Sequence, residues 1–217
     1  MWNKSLFLAA SLVVATASCS SSSPAPAPAA STEDAGTAVA GYPEGPYGVA
    51  IGSVLADREM RGYLRFDTTG LANTAPNGVQ SPLKFSDIRA LAMTPPEGGG
   101  EPTVKYAVIH LTAYWCPICK ATIEELVAQY PKYASKATFV DILIEGVDPS
   151  TPTTNPQLDA WIKAEKVPFT TMQDPDGSFG IKKALGAKDT TYLVELASMK
   201  ILYKGAYDTA LTKLKAL

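Results

Sequence analysis

Val104-Lys105-Tyr106-Ala107-Val108-Ile109-His110-Leu111-Thr112-Ala113-Tyr114-Trp115-Cys116-Pro117-Ile118-Cys119 is the stretch that decides the fold. Its first part, Val104 to Thr112, is rich in Val, Ile, Leu and Tyr, and Pro95, Pro96 and Gly98-Gly99-Gly100 set it off from what precedes. It reads as a central β-strand. After the motif, Cys119, Ile123, Leu126, Val127 and Tyr130 recur at i, i+4, i+7, i+8 and i+11, one helical stripe that ends before Pro131. The two cysteines thus stand where a strand passes into an amphipathic helix, the first at the N-cap and the second one turn in. That spacing lets them bridge with little backbone movement. The stripe predicts that Cys119 points inward and that Cys116 is exposed at the rim.

The position assigns roles to the two sulfurs. A helix N-terminus offers unsatisfied N–H groups and the positive end of the macrodipole, which favour thiolate over thiol. Cys116 is therefore the expected nucleophile and Cys119 the resolving thiol. Pro117 suits the first helical position because the N–H it lacks would be orphaned there anyway. It also removes one donor to the sulfur, so activation falls to later amides. A lone C-x-x-C is equally half of a zinc or iron–sulfur site, but such sites take four ligands. No second pair exists: the third cysteine is Cys19 and the single histidine, His110, lies six residues before Cys116. A metal would need ligands from a second molecule, and the βαβ context favours redox exchange.

Residues 1–18 read as a signal peptide, with Lys4 ahead of an apolar core from Leu6 to Ala15 and small residues up to Cys19. The segment is too short and too weakly flanked for a membrane anchor. Cys19 after Ala17-Ser18 resembles the lipidation site of bacterial lipoproteins, although Thr16 stands where leucine is commoner. Ala15-x-Ala17 also satisfies ordinary cleavage. The expectation is an exported protein, lipid-anchored on the periplasmic side of the cell envelope, or secreted if Cys19 is not acylated. Residues 19–41 are Ser, Pro, Ala and Thr with few large apolar side chains, a composition that cannot repay ordering, and they read as a disordered tether. Residues 42–217 have the length of one domain with a single core. No later apolar run spans a bilayer, so this domain is expected to be soluble. A net charge of −2 supplies no basic patch and no reason to expect nucleic acid or anionic-membrane binding. The membrane is met only through the N-terminal lipid, and the domain reads as a monomer.

The first half of that domain is weakly patterned: an irregular lead-in from Tyr42 to Glu59, a strand at Arg61 to Phe66, a loop through Thr68 to Gln80, and a short helix near Phe85 to Ala92. The second half is clearer. The cysteine helix runs from Pro117 to Tyr133, a strand follows at Thr138 to Ile144, and Asn155 caps a helix with Pro156 at its first position that ends near Lys166. Then come a strand at Phe169 to Gln173, a turn at Asp174-Pro175-Asp176-Gly177, a short helix at Phe179 to Leu185, and a hairpin of Thr190 to Leu196 with Lys200 to Tyr203. A last helix spans Thr209 to Ala216. The Asp174 turn lacks the length and ligand pattern of a calcium loop. This order predicts an α/β protein, a central mixed β-sheet flanked by helices on both faces.

With Ala113-Tyr114-Trp115-Cys116-Pro117-Ile118-Cys119-Lys120 at the strand-to-helix junction, the chain resembles the thioredoxin superfamily. More narrowly it is similar to the exported redoxin branch, which mixes peroxiredoxin-like domains with membrane-tethered thiol–disulfide reductases. Val167-Pro168-Phe169 leading to Asp174-Pro175-Asp176-Gly177, and Thr190-Thr191-Tyr192-Leu193-Val194-Glu195, extend the likeness over about Gly52 to Leu217. The resemblance implies a thioredoxin-like fold and an extracytoplasmic thiol–disulfide oxidoreductase working without a cofactor. Its partners would be protein thiols or disulfides and an upstream electron donor or acceptor.

Two positions depart from the family. Asp189 stands before Thr190 where the family has a cis-proline facing the cysteines. A cis bond without proline costs about 2.5–4 kcal/mol, so a trans and differently shaped loop is expected. An acid there would oppose the Cys116 thiolate, or else is a solvated turn residue. His110 occupies the place of a buried acid that assists proton transfer to the second cysteine. It is either a relay of near-neutral pKa or a hydrogen-bonded core histidine beside Tyr106, Val108 and Thr112. Trp115 either shields the disulfide or contacts substrate, and Lys120 reads as a solvated helix residue. Two other functions compete. A peroxidase of the peroxiredoxin kind would want proline and threonine where Ile109 and Ala113 stand, and a metal-binding module on this fold would want a wider cysteine spacing and a downstream histidine.

Overall fold

A computed structural model of the chain describes residues 41–65, 80–95, 99–175 and 177–217. The expected signal peptide, Cys19, the tether up to residue 40, Phe66, most of the Thr68 to Gln80 loop and Asp176 lie outside the described residues. Among the described residues seven strands and five helices follow in the order β1 (Met60–Tyr63), β2 (Ser81–Leu83), α1 (Phe85–Ala92), β3 (Tyr106–Ala113), α2 (Pro117–Tyr133), β4 (Ala137–Glu145), α3 (Asn155–Glu165), β5 (Thr170–Gln173), α4 (Gly180–Leu185), β6 (Thr190–Glu195), β7 (Lys200–Gly205) and α5 (Tyr207–Ala216). The strands form one sheet in the order β2-β1-β5-β4-β3-β6-β7. Strands β3, β4 and β5 are parallel, and the outer pairs are antiparallel. Parallel neighbours need helical crossovers, so β3-α2-β4-α3-β5 places α2 and α3 on the same face.

The alternation of side chains along β3 and β4 divides the core in two. Val108, Phe139 and Leu143 pack with Ile123 and Leu126 of α2, Trp161 of α3, and Leu211 and Leu214 of α5. Ala107, Ile109, Leu111, Val140 and Ile142 face the other way, toward Phe85 and Ile88 of α1 and Ile181 and Leu185 of α4. The mixed sheet with helices on both faces is therefore the architecture expected. Both β3 and β4 are almost wholly buried, as central strands covered on two sides should be. The helix that carries the cysteines is seated by an aromatic group: Tyr130 lies 5.2 Å from Phe139 and 5.3 Å from Phe169, ring centre to ring centre.

Several boundaries move. Helix α3 is capped by Thr154, not Asn155, because the Gln157 side chain, three residues on, accepts the Thr154 N–H at 2.9 Å. Strand β3 starts at Tyr106 rather than Val104, and β7 continues to Gly205. Strand β2 was unforeseen; it is three residues long, at the sheet edge, and contains Pro82, which an edge tolerates. Among the described residues no helix is long and apolar enough to cross a membrane.

Removing the Phe139 ring should cost about 3–5 kcal/mol, since it empties the space between α2 and the sheet. Urea unfolding of Phe139→Ala is expected to show a lowered midpoint of that size with an unchanged slope.

Candidate active site

Strand β3 delivers the chain to the site and stops there. Tyr114 N–H donates to Glu145 O at 2.9 Å, and Cys116 N–H donates to Ala113 O at 3.0 Å, closing a turn that brings the backbone into α2. Cys116 is the N-cap with extended backbone (φ −87°, ψ 111°), and Pro117 opens the helix. The two cysteines are joined in a disulfide with a Cα–Cα separation of 5.3 Å. The Cys119 N–H donates to Cys116 Sγ at 3.2 Å, the later amide that Pro117 leaves to serve the sulfur. The expected exposure of Cys116 is corrected: it is 2% exposed and Cys119 0%. Bonding to Cys119 draws Cys116 into a small cluster with Ala113, and Trp115 packs against that cluster. The open surface lies on the next turn, where Pro117 is exposed and Ile118 is 65% exposed.

A bulge fixes what surrounds Trp115. Thr112 pairs with Leu143 but Ala113 pairs with Glu145, so β4 carries one extra residue, Ile144. An extra residue moves every later side chain to the opposite face. Glu145 is thereby turned from the α2 side toward α4. Its Oε2 accepts the Trp115 indole N–H at 2.8 Å, and its Oε1 lies 2.7 Å from Lys182 Nζ on α4. From the loop before β6, the Lys188 ammonium stands 4.9 Å from the centre of the Trp115 ring.

Beneath α2, β3 presents His110, 1% exposed. Its Nδ1 pairs with Thr191 Oγ1 at 3.0 Å, and its Nε2 lies 4.0 Å from Asp189 Oδ1. Burial pushes its pKa down to about 4, with the Asp189 carboxylate pulling weakly the other way. A pKa of about 4 departs from the near-neutral value expected of a relay, and the Thr191 contact fits the other reading, a hydrogen-bonded core histidine. The peptide before Asp189 is trans, as the missing proline led one to expect. Asp189 takes a left-handed φ of 59°, its N–H donates to Leu111 O at 2.7 Å, and its Oδ1 accepts the Thr122 hydroxyl at 3.0 Å. It is anchored to α2 rather than free in solvent. Thr190 opens β6 opposite Leu111.

Asp141 escaped the sequence reading. It pairs with His110 across β3 and β4, is fully buried, and accepts the Trp161 indole N–H at 2.8 Å. Its signal was visible: one acid inside the apolar run Phe139-Val140-Asp141-Ile142-Leu143-Ile144. Burial raises its pKa to about 8 against the smaller opposing effect of the Trp161 N–H. Among the described residues no group of three or more His, Cys, Asp or Glu side chains is placed to hold a metal ion.

The two buried groups act on stability with opposite signs. His110, lowered from 6.5 to about 4, favours the fold above 6.5 and loses that advantage as pH falls toward 4. Asp141, raised from 3.8 to about 8, favours the fold below 3.8 and loses that advantage as pH rises through 8. Between 6.5 and 8 the Asp141 effect stands alone, worth at most about 2 kcal/mol. The melting temperature of the oxidised protein should fall over that interval. Asp141→Asn, which keeps an acceptor for Trp161, should flatten the decline and be the more stable protein at pH 8; a wild-type Tm rising over the interval would contradict the assignment.

The model of the AhpC/TSA family matches residues 100–204, from just before β3 to the end of β7. No curated protein matches the chain. Among solved structures, a candidate protein disulfide isomerase from Bacteroides thetaiotaomicron is 15% identical with a TM-score of 0.50, covering 77% of this chain and 87% of its own. A hypothetical protein from Sinorhizobium meliloti is 17% identical with a TM-score of 0.50, over 75% and 73% of the two chains. The AhpC of Enterococcus faecalis is 14% identical with a TM-score of 0.49, over 78% and 92%. At these identities the first two structures speak for the fold alone, and the family match covers the segment that holds the disulfide. The chain has a thioredoxin-like fold, and its residues 100–204 are similar to the AhpC/TSA family.

Proposed function

We propose that the protein is a thiol–disulfide oxidoreductase that exchanges disulfides through Cys116 and Cys119 outside the cytoplasm. The observation that carries this reading is the disulfide at the start of α2 with the Cys119 N–H directed at Cys116 Sγ. In the reducing direction the Cys116 thiolate attacks one sulfur of a partner's disulfide, and the partner's other sulfur leaves as a thiolate and takes a proton from solvent. Cys119, deprotonated, then attacks Cys116 Sγ; the partner's second sulfur is released, and the pair closes as in the structure. The reverse sequence oxidises a dithiol partner. Helix N-terminus and Cys119 amide stabilise negative charge on Cys116 in either direction. Export is supported by the signal-like residues 1–18, and acylation of Cys19 would tether the domain through the Ser/Pro/Ala segment.

Cys119→Ser is expected to trap mixed disulfides through Cys116 that a thiol reductant releases, while Cys116→Ser traps none. Selective alkylation of Cys119 in the reduced protein would reverse the roles.

The match to the AhpC/TSA family favours a second reading, in which the Cys116 thiolate attacks a peroxide and breaks its O–O bond, giving a Cys116 sulfenic acid and an alcohol or water, and the Cys119 thiol then condenses with the sulfenic acid to form the disulfide and release water. Against it, Ala113 offers no hydroxyl where that family carries threonine. Peroxide should be consumed no faster with the protein plus a thiol donor than with the donor alone; consumption dependent on Cys116 would favour the peroxidase.

A further inference from the structure

Glu145 is a carboxylate with 5% of its surface exposed, and such a group is costly unless both oxygens are satisfied. One oxygen holds the Trp115 indole at 2.8 Å and the other holds Lys182 Nζ at 2.7 Å. Lys182 is itself fixed: its ammonium donates to Pro149 O at 3.0 Å and lies 4.9 Å from the centre of the Phe179 ring. A chain of contacts therefore runs from α4 through the bulge of β4 to the residue immediately before the nucleophile. Trp115 is held at its edge by an anion and over its face by the Lys188 cation, the two polarities that an indole accepts at those places. Breaking the chain at Lys182 leaves a buried carboxylate without its counter-charge, and the least costly relief is for Glu145 to turn toward water and release the indole.

We propose that Lys182 is a positioning residue for the Cys116–Cys119 pair, acting through Glu145 to keep Trp115 packed against the two sulfurs. The inference rests on the exchange reading above for its chemical consequence, but not for its geometry. Lys182 is remote in sequence from the motif and touches neither sulfur; its influence is transmitted by one hydrogen bond and one ion pair.

The test uses the full chain labelled with 15N at tryptophan. The indole N–H of Trp161, bound to Asp141, serves as an internal reference. In Lys182→Met, the Trp115 indole signal is expected to shift and its hydrogen exchange to quicken about tenfold, the equivalent of one lost charge-assisted hydrogen bond, while Trp161 is unmoved. Lys182→Arg should restore the signal, and Glu145→Leu, which offers the indole no acceptor, should reproduce the loss. The rate of exchange with glutathione should drop about tenfold in Lys182→Met and recover in Lys182→Arg, following the indole. A Trp115 signal unchanged in Lys182→Met, an equal loss in the methionine and arginine variants, or a released indole with an unchanged exchange rate would each overturn the proposal. If Lys182→Met fails to fold, Lys182→Arg against Glu145→Leu decides by the same signals. A wild-type protein inert toward glutathione would instead defeat the exchange reading, and the indole signals would still decide whether Lys182 holds Trp115.

Discussion

The site depends on how β3 is held between β4 and β6. Its pairing is in regular register through Thr112 and slips by one residue at Ala113, where β4 contributes its extra residue. Regular pairing keeps His110 and Thr112 under α2, and the slip releases the chain from the sheet at the point where a helix must begin. One irregularity in a buried ladder thus positions both the disulfide and the acid beside it. Because both strands are closed in by helices, a shift of register would drive apolar side chains to the wrong core, and the geometry is tightly specified.

Beneath α2, two fully buried ionisable groups, His110 and Asp141, are driven toward their uncharged forms. Burial drives His110 toward the neutral imidazole and Asp141 toward the neutral acid, though one is a base and the other an acid. The groups directed at Cys116 Sγ are accordingly those of the helix N-terminus, the Cys119 amide among them. The charged groups are displaced sideways, to Glu145 with Lys182 and to Lys188 over Trp115. The indole separates the sulfurs from that polar rim.

The second half of the fold was legible because its signals are local and strong: an apolar strand, a helical stripe from Cys119 to Tyr130, and the hairpin after Thr190. Strand β2 was not, since three residues including a proline carry no periodicity and pair only because β1 is there to receive them. The cysteines and the trans, reshaped loop at Asp189 could be read from spacing and from what a proline would have required. Burial of Cys116 could not, because helical position gives a direction for a side chain but not what covers it. The partners of Trp115 were hidden for a different reason. They come from the end of β4 and from α4, and a bulge that reverses one side chain leaves no mark in composition.

Asp189 combines a positive φ with a backbone N–H bound to Leu111 O. Proline can satisfy neither condition, since its ring holds φ near −65° and it has no N–H. Asp189→Pro would therefore land on a backbone that refuses it. A proline at position 189 would require the segment before β6 to be rebuilt first, and the Thr122 anchor on α2 to be given up with it.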